Sequence, residues 1–547
     1  MNLTAPRPAR RWTYVTAAYA ALTLVLTYPS VVRLADHMIG DGGDGLQFAW
    51  NLWWMKRALV DLSTTPFHTN AIFHPEGVSL WLHTLTPLNG VLSLPLQAIL
   101  PLPVVYNLLV LLSFVTAGLG AFLLASEETE SCICAFVGGI VFTFCSYHFA
   151  HARGHLNLVG CQWLPLFAVF VIRALRRGSL ANGAWAGLFL ALNGYTDPYY
   201  LLYALMLAPL LLVAYWRERI DTRDALTSLA AAALVGTALL APYVAGMVGA
   251  ARAERFFGAH DARIFSADLT SYFVPNGVSS FGAATRSLWS AWSGNDTENA
   301  CFMGFSVLAL LVLALRRDPK ARRWGAIALV FFLFSLGPEL RIAGKATGFA
   351  LPYALLHRVV PFLDLGGVPV RMDIMVELGA AVLVARACQL VQKRWVALLA
   401  SVIVVERLAL PYPTTPVLVD PFYRDLGRDP ERYGVLDLTG TTPAMYFATQ
   451  HEKNIVGGMV ARLPVSAQRF IDETPLLPTL LHGAPAPEGD PATLARAMCE
   501  RLKIRYVIAH DNLRRDYVAT VLRLAPVRTT PELTAFACPE PVNVPSP

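Results

Sequence analysis

Apolar runs constrain this chain more than any other feature. Segments 13–34, 104–125, 132–147, 161–175, 180–195, 199–215, 225–248, 301–315, 324–341, 372–391 and 394–410 are dominated by Leu, Val, Ala and Phe. A bilayer-spanning helix needs about 20 such residues, and lipid admits only helices and closed barrels because their backbones satisfy themselves. The chain has 547 residues, 55% of them hydrophobic and 15% charged, against about 25% charged in soluble domains. The expected fold class is an all-α polytopic membrane protein with eleven transmembrane helices, one for each run.

Arginine placement sets the orientation. Arg7, Arg10 and Arg11 precede the first run, and further clusters follow at Arg173, Arg176 and Arg177, at Arg217, Arg219 and Arg223, at Arg316, Arg317, Arg322 and Arg323, and at Lys393 and Arg394. The positive-inside rule makes all of these cytoplasmic. Parity then requires that 88–100, an apolar stretch interrupted by Pro95, does not cross; it is expected as a re-entrant or interfacial helix. The outer face carries 35–103, 148–160, 196–198, 249–300, 342–371 and everything from 412. The first run is too long for a cleavable signal and reads as a retained anchor. These clusters account for the net charge of +6, so no nucleic-acid partner is implied.

Composition shifts at 412 toward Pro, Arg and Asp. Gly434–Leu438 and Ile504–Ala509 read as strands and Asn512–Leu524 as a helix. Residues 1–411 are therefore expected as the transmembrane domain and 412–547 as a small exoplasmic α/β domain. That domain is expected to be non-catalytic, with His451 and Glu452 as a polar pair that could gate an acceptor. Cys499 and Cys538 could pair in an oxidising compartment. The other six cysteines, Cys132, Cys134, Cys145, Cys161, Cys301 and Cys388, read as packing residues.

The chemistry-bearing residues gather in the outer loops. Asp41 and Asp44 stand three apart among glycines, where two carboxylates can aim at one point, to hold a divalent cation or to supply a general base. The plainer reading is an Asp/Gly turn before an amphipathic helix, Trp50 to Trp54, lying on the membrane. His148, His151 and His155 would share one face of a helix and could ligate a metal, or form a stripe of hydrogen-bonding imidazoles. Asp197 belongs to an Asp-Pro turn, yet acids at membrane depth are candidates for substrate contact, as are Asp268 and Glu298. Arg153, Arg255 and Arg371 suit phosphate through paired donors.

One span, then a long outer loop carrying Asp41 and Asp44, then polar outer loops between further spans: this arrangement resembles the GT-C superfamily of membrane glycosyltransferases over residues 10–410. Phe73-His74-Pro75-Glu76-Gly77 and Gly154-His155-Leu156-Asn157 look like uncharacterised bacterial membrane proteins grouped with them. The resemblance implies a sugar taken from a polyprenyl-phosphate-linked donor outside the bacterial inner membrane, with a first-loop acid as base or acceptor contact. Asp41 is then expected to deprotonate the acceptor, and Asp44 to contact donor phosphate or a Mg or Mn ion. Partners would be the lipid-linked donor and membrane lipids. Two other classes share the same residues: a transporter or flippase of lipid-linked saccharides, and a non-catalytic envelope-assembly protein.

Overall fold

The computed structural model describes residues 8–360, 363 and 366–539, so Arg7 lies outside the described residues. Leu102–Glu128, Leu156–Arg177, Pro198–Glu218 and Thr222–Ala253 are long and apolar enough to cross a membrane, and they mark a membrane protein. Other expected runs give shorter helices. Phe305–Arg317 has 13 residues and Lys393–Glu406 has 14. At 1.5 Å per residue each reaches about 20 Å, short of a hydrocarbon core of about 30 Å. The 132–147 run divides into Cys132–Thr143 and Ser146–His151, the second capped by Cys145. The 324–341 run ends its helix at Ser335, and Glu339–Ile342 pairs with Lys345–Ala350 as a hairpin.

Helices pack closely where side chains are small. A Cβ on Gly183 would lie 1.9 Å from the Ser228 carbonyl, and one on Gly187 would lie 2.4 Å from that of Ala232. Small residues let Leu180–Thr196 and Thr222–Ala253 approach backbone to backbone, the usual device where lipid removes the hydrophobic drive. Asp373–Gln389 is buried along nearly its whole length. On it Glu377 pairs at 3.0 Å with Arg407, which also donates to the Met303 and Val141 carbonyls. A pair so deeply buried survives only because its remaining donors are satisfied.

The charged clusters gather at one end of the bundle. Arg173 meets Glu127 at 2.6 Å, Arg176 meets Glu218 at 2.6 Å and Arg323 meets Glu128 at 2.5 Å. Helix Pro198–Tyr215 ends there, with Arg176 and Arg323 stacked over the Tyr215 ring. Its other end, at Asp197, meets Asn157.

The segment after 412 forms a five-stranded sheet in the order Ala525–Thr529, Thr534–Ala537, Ile504–Ala509, Gly434–Asp437, Asn454–Ile455. Gly434–Asp437 runs parallel to both neighbours, while Thr534–Ala537 is antiparallel to both of its own. A Cys499–Cys538 disulfide ties helix Pro491–Leu502 to the residue that follows strand Thr534–Ala537. The expected helix over 512–524 is shorter, an α-helix at Asn512–Asp516 running into a π-turn to Val521.

This sheet shares a core with the first loop. Trp50, Trp54 and Met55 are buried in one cluster with Phe422, Val435, Met445 and Val507. The aromatic helix Asp44–Lys56 therefore does not lie on lipid along that face: it packs on helix Thr441–His451. Strand His37–Ile39 pairs with Thr414–Pro416, and Ala71, Phe73 and His74 exchange backbone hydrogen bonds with Ile455 and Gly457.

Candidate functional site

Segments 35–103, 148–160, 196–198, 249–300 and 342–371 join the tail around a cavity of about 280 Å³ lined by Asp44, His83, His155, Asp197, Glu298, Arg371 and Arg462, with Trp81, Tyr199, Met247 and Phe265 among its apolar walls. Concave, largely apolar sites with a few converging polar groups are the usual form of a small-molecule site.

The first loop reaches the cavity through its glycines. Gly40, at φ 110°, brings its backbone so close to Arg153 that a Cβ would overlap the Arg153 carbonyl, and the Asp41 N–H donates to that carbonyl at 2.9 Å. Asp44 then opens its helix after Gly43, itself at φ 46°. The result separates the two acids. The half-buried Asp44 carboxylate lines the cavity and sits 3.3 Å from His155 Nε2. Asp41 is outside the lining, 56% exposed at its side chain and 3.9 Å from Arg153 Nη1. Arg153 donates its other terminal nitrogen to the Val278 carbonyl at 3.0 Å.

The histidine stripe is redistributed. The helix bearing it stops at His151, so positions 148, 151 and 155 do not form one face. His148 stacks on Phe114 and bonds Thr143 O at 2.8 Å, away from the cavity. His151 and His155 stay together, Nδ1 to Nδ1 at 2.8 Å, and Glu298 takes the third place. The possible ligand atoms of His151, His155 and Glu298 lie within 4.8 Å of one another. His151 is fully buried and its Nε2 has no hydrogen-bond partner. A bare imidazole nitrogen beside a second imidazole and a carboxylate fits a divalent ion of the Mn or Zn type better than Mg, which prefers oxygen.

Glu298 is also the counter-ion of Arg371, with Nε at 3.1 Å from Oε2 and Nη2 at 2.5 Å from Oε1, and the guanidinium lies 5.0 Å from the Tyr199 ring centroid. Burial alone would raise the Glu298 carboxyl, but Arg371 holds it down to about 2. Arg371 is driven above its ordinary value by Glu298 in spite of burial. The His155 hydrogen bond lowers Asp44, against partial burial and with help from Arg371. Burial pushes His151 well below the usual histidine range, so it is neutral.

Asp197 lines the cavity but is committed: it caps Tyr199 N at 2.7 Å and accepts from Asn157 at 2.5 Å, and burial raises its carboxyl. Asp268 stands outside the cavity. It accepts from Ala343 N at 3.0 Å and Gly344 N at 2.7 Å, anchoring the 339–350 hairpin. Arg255 is exposed beside strand Phe256–Phe257 and does not line the cavity. His451 is buried under Tyr423, and Glu452 pairs with Arg57 at 2.9 Å; neither reaches the cavity. Sequence reasoning passed over Arg462, which the tail inserts beside Tyr199. No local signal marks it, because only pairing of Leu463–Pro464 with Phe256–Phe257 brings it there.

No curated protein matches the chain. Among solved structures, the Archaeoglobus fulgidus oligosaccharyltransferase is similar at TM-score 0.50 and 11% identity, covering 94% of this chain and 71% of its own. The arabinofuranosyltransferase AftD from mycobacteria is similar at TM-score 0.58 and 12% identity, covering 97% of this chain and 41% of its own. This chain shares the fold of both structures. The family model described as Domain of unknown function (DUF6311) matches residues 16–406, and the chain belongs to that family.

Proposed function

We propose that this protein is a glycosyltransferase that moves a sugar from a polyprenyl-phosphate-linked donor to an acceptor hydroxyl outside the bacterial inner membrane. The carrying observation is that Asp44 and Arg371 line one cavity, a carboxylate held ionised and a buried cation. The names and folds of the two similar structures support the reaction class.

In this reading Asp44 accepts the acceptor's hydroxyl proton as the new bond to the anomeric carbon forms. The bond from that carbon to the phosphate oxygen breaks on the opposite face, so the configuration inverts. Arg371 and Arg462 stabilise the charge left on the lipid phosphate, Arg371 through the paired donors that suit phosphate. His155 holds the Asp44 carboxylate in place. Asp41, expected as the base, is replaced in that role by Asp44 because only Asp44 lines the cavity. A divalent ion held by His151, His155 and Glu298, when bound, would supply further positive charge toward phosphate. The exposed helix Thr222–Ala253, with Met247 and Trp81 at the cavity edge, offers an apolar approach for the lipid chain.

We further propose that residues 1–411 form the multi-pass membrane domain with a cytoplasmic N-terminus, and 412–547 an exoplasmic α/β domain. The Arg–Glu network at the end remote from the cavity supports that orientation, and the disulfide fits an oxidising side. Photo-crosslinking with a benzophenone-bearing polyprenyl phosphate tests the donor site. Labelling at Trp81 or Met247, competed by unmodified polyprenyl phosphate, supports it; labelling spread over the lipid-facing helices without competition counts against it.

A further inference from the structure

A second cavity, of about 180 Å³, lies in the loop 286–299. It shares one residue, Asn295, with the main cavity. Its lining is unlike that of the first: Trp289 and Trp292 stand with Arg286, Ser290, Ser293 and Asp296.

Both indoles are fixed by their N–H groups. Trp289 Nε1 donates to the Gly282 carbonyl at 2.8 Å and Trp292 Nε1 to Thr270 Oγ1 at 3.0 Å. With those donors spent on the protein, the rings offer only their apolar faces and edges. Thr270 Oγ1 in turn donates to Asp268 at 2.6 Å. Asp268 thus acts as a positioning residue for Trp292, which explains why this buried acid lies outside the main cavity. The loop's own amides are used internally: Asn276 Nδ2 donates to Asp296 O, and Asn299 Nδ2 to Ser293 O, each at 2.6 Å. The Asp296 side chain meets the same spot as Trp289, since a Cβ on Gly277 would lie 2.4 Å from its Oδ2 and 3.3 Å from the indole.

Fixed aromatic faces beside a carboxylate, a guanidinium and hydroxyls match the two sides of a sugar ring. A pyranose presents a face of C–H bonds to an aromatic surface, while its hydroxyl edge needs acceptors and donors in pairs. An extended peptide would need a long groove or a sheet edge; this cavity is small and lined by residues 286–299 alone.

We propose that the second cavity is a saccharide-binding subsite that holds the acceptor, with Asn295 as the shared wall across which its hydroxyl meets the donor. The acceptor role rests on the glycosyl-transfer reading of the main cavity, whereas the saccharide class rests on the lining of this cavity alone.

Saturation-transfer difference NMR on the full chain in nanodiscs, which carry no sugar headgroup, tests it with methyl glycosides of mannose, galactose and glucose. Saturation transfer to at least one glycoside is expected. It should weaken about tenfold in Trp289→Ala and, independently of folding concerns, in the near-isosteric Asp296→Asn. Competed polyprenyl-phosphate crosslinking in the main cavity should persist in both variants. No saturation transfer in the wild type, or equal transfer in both variants, overturns the subsite. Saccharide binding that depends on Trp289 and Asp296 without any donor crosslinking leaves the subsite standing and removes the donor reading instead.

Discussion

His151 and His155 meet through their Nδ1 atoms at 2.8 Å, so one ring donates and the other accepts. His155 Nε2 lies 3.3 Å from the Asp44 carboxylate and must carry a proton to bond it. When His155 Nδ1 accepts, His151 donates there and the lone pair is left on His151 Nε2. That nitrogen is buried without a hydrogen bond and lies 3.9 Å from a Glu298 oxygen. These two electron-rich atoms would take an ion directly, and His155 would join as the third ligand only by giving up one of its two contacts.

Mn(II) titration followed by EPR checks this arrangement. The wild type is expected to bind the ion, and His151→Gln to bind it about tenfold or more weakly. Affinity unchanged in His151→Gln would remove these residues as ligands.

Arg371 and Glu298 are both buried and satisfy each other. Arg371→Met strands a buried carboxylate and should cost about 3–5 kcal/mol. Adding Glu298→Gln removes the stranded charge and should recover part of the loss. Thermal unfolding in detergent reads both; equal stability of the two variants would mean that the pair is uncoupled.

His83 joins the first loop to the tail. Its Nδ1 accepts from Ala461 N at 3.1 Å, which leaves Nε2–H for Asn51 Oδ1 at 3.0 Å. Burial pushes its pKa down to about 3, whereas an unfolded histidine titrates near 6.5. Below about 6.5 the unfolded chain takes up a proton that the folded chain refuses. Stability from this site is therefore full above pH 6.5 and falls as pH drops toward 3. The melting temperature of His83→Asn should vary less steeply between pH 6.5 and 4.5 than that of the wild type.

Deleting 412–547 should leave no well-folded protein. The cut would uncover Trp50, Trp54 and Met55, which share their core with the tail, and would remove Arg462 from the cavity wall. Size-exclusion chromatography should show aggregation; a monodisperse truncated protein would mean that the first loop folds without the tail.

Helices, the first-loop glycines and the two central strands of the tail were legible because each rests on local pattern: apolar runs, Gly freedom, alternating Val and Ile. Glu298 and Arg371 could be named as polar residues near span ends, but their pairing joins positions 73 residues apart, which no local rule supplies. The same holds for Arg462. The expected single face of His148, His151 and His155 is broken because periodicity assumes a continuous helix and this one stops at His151, before His155, while His148, still on it, is taken up by Phe114 and the Thr143 carbonyl. The expectation of Trp50 and Trp54 on the membrane rests on apolar character, which lipid and core share, and the tail's position decides for the core.

The central claim stands on Asp44. Purified protein given radiolabelled polyprenyl-phosphate sugar and a saccharide acceptor measures it directly. Asp44→Asn keeps the shape and removes the base, and should lower transfer by about 10²–10⁴-fold. Asp41→Asn, altering a carboxylate outside the cavity, should leave transfer nearly unchanged. Full activity in Asp44→Asn, or no transfer by the wild type from any lipid-linked donor, would contradict the account.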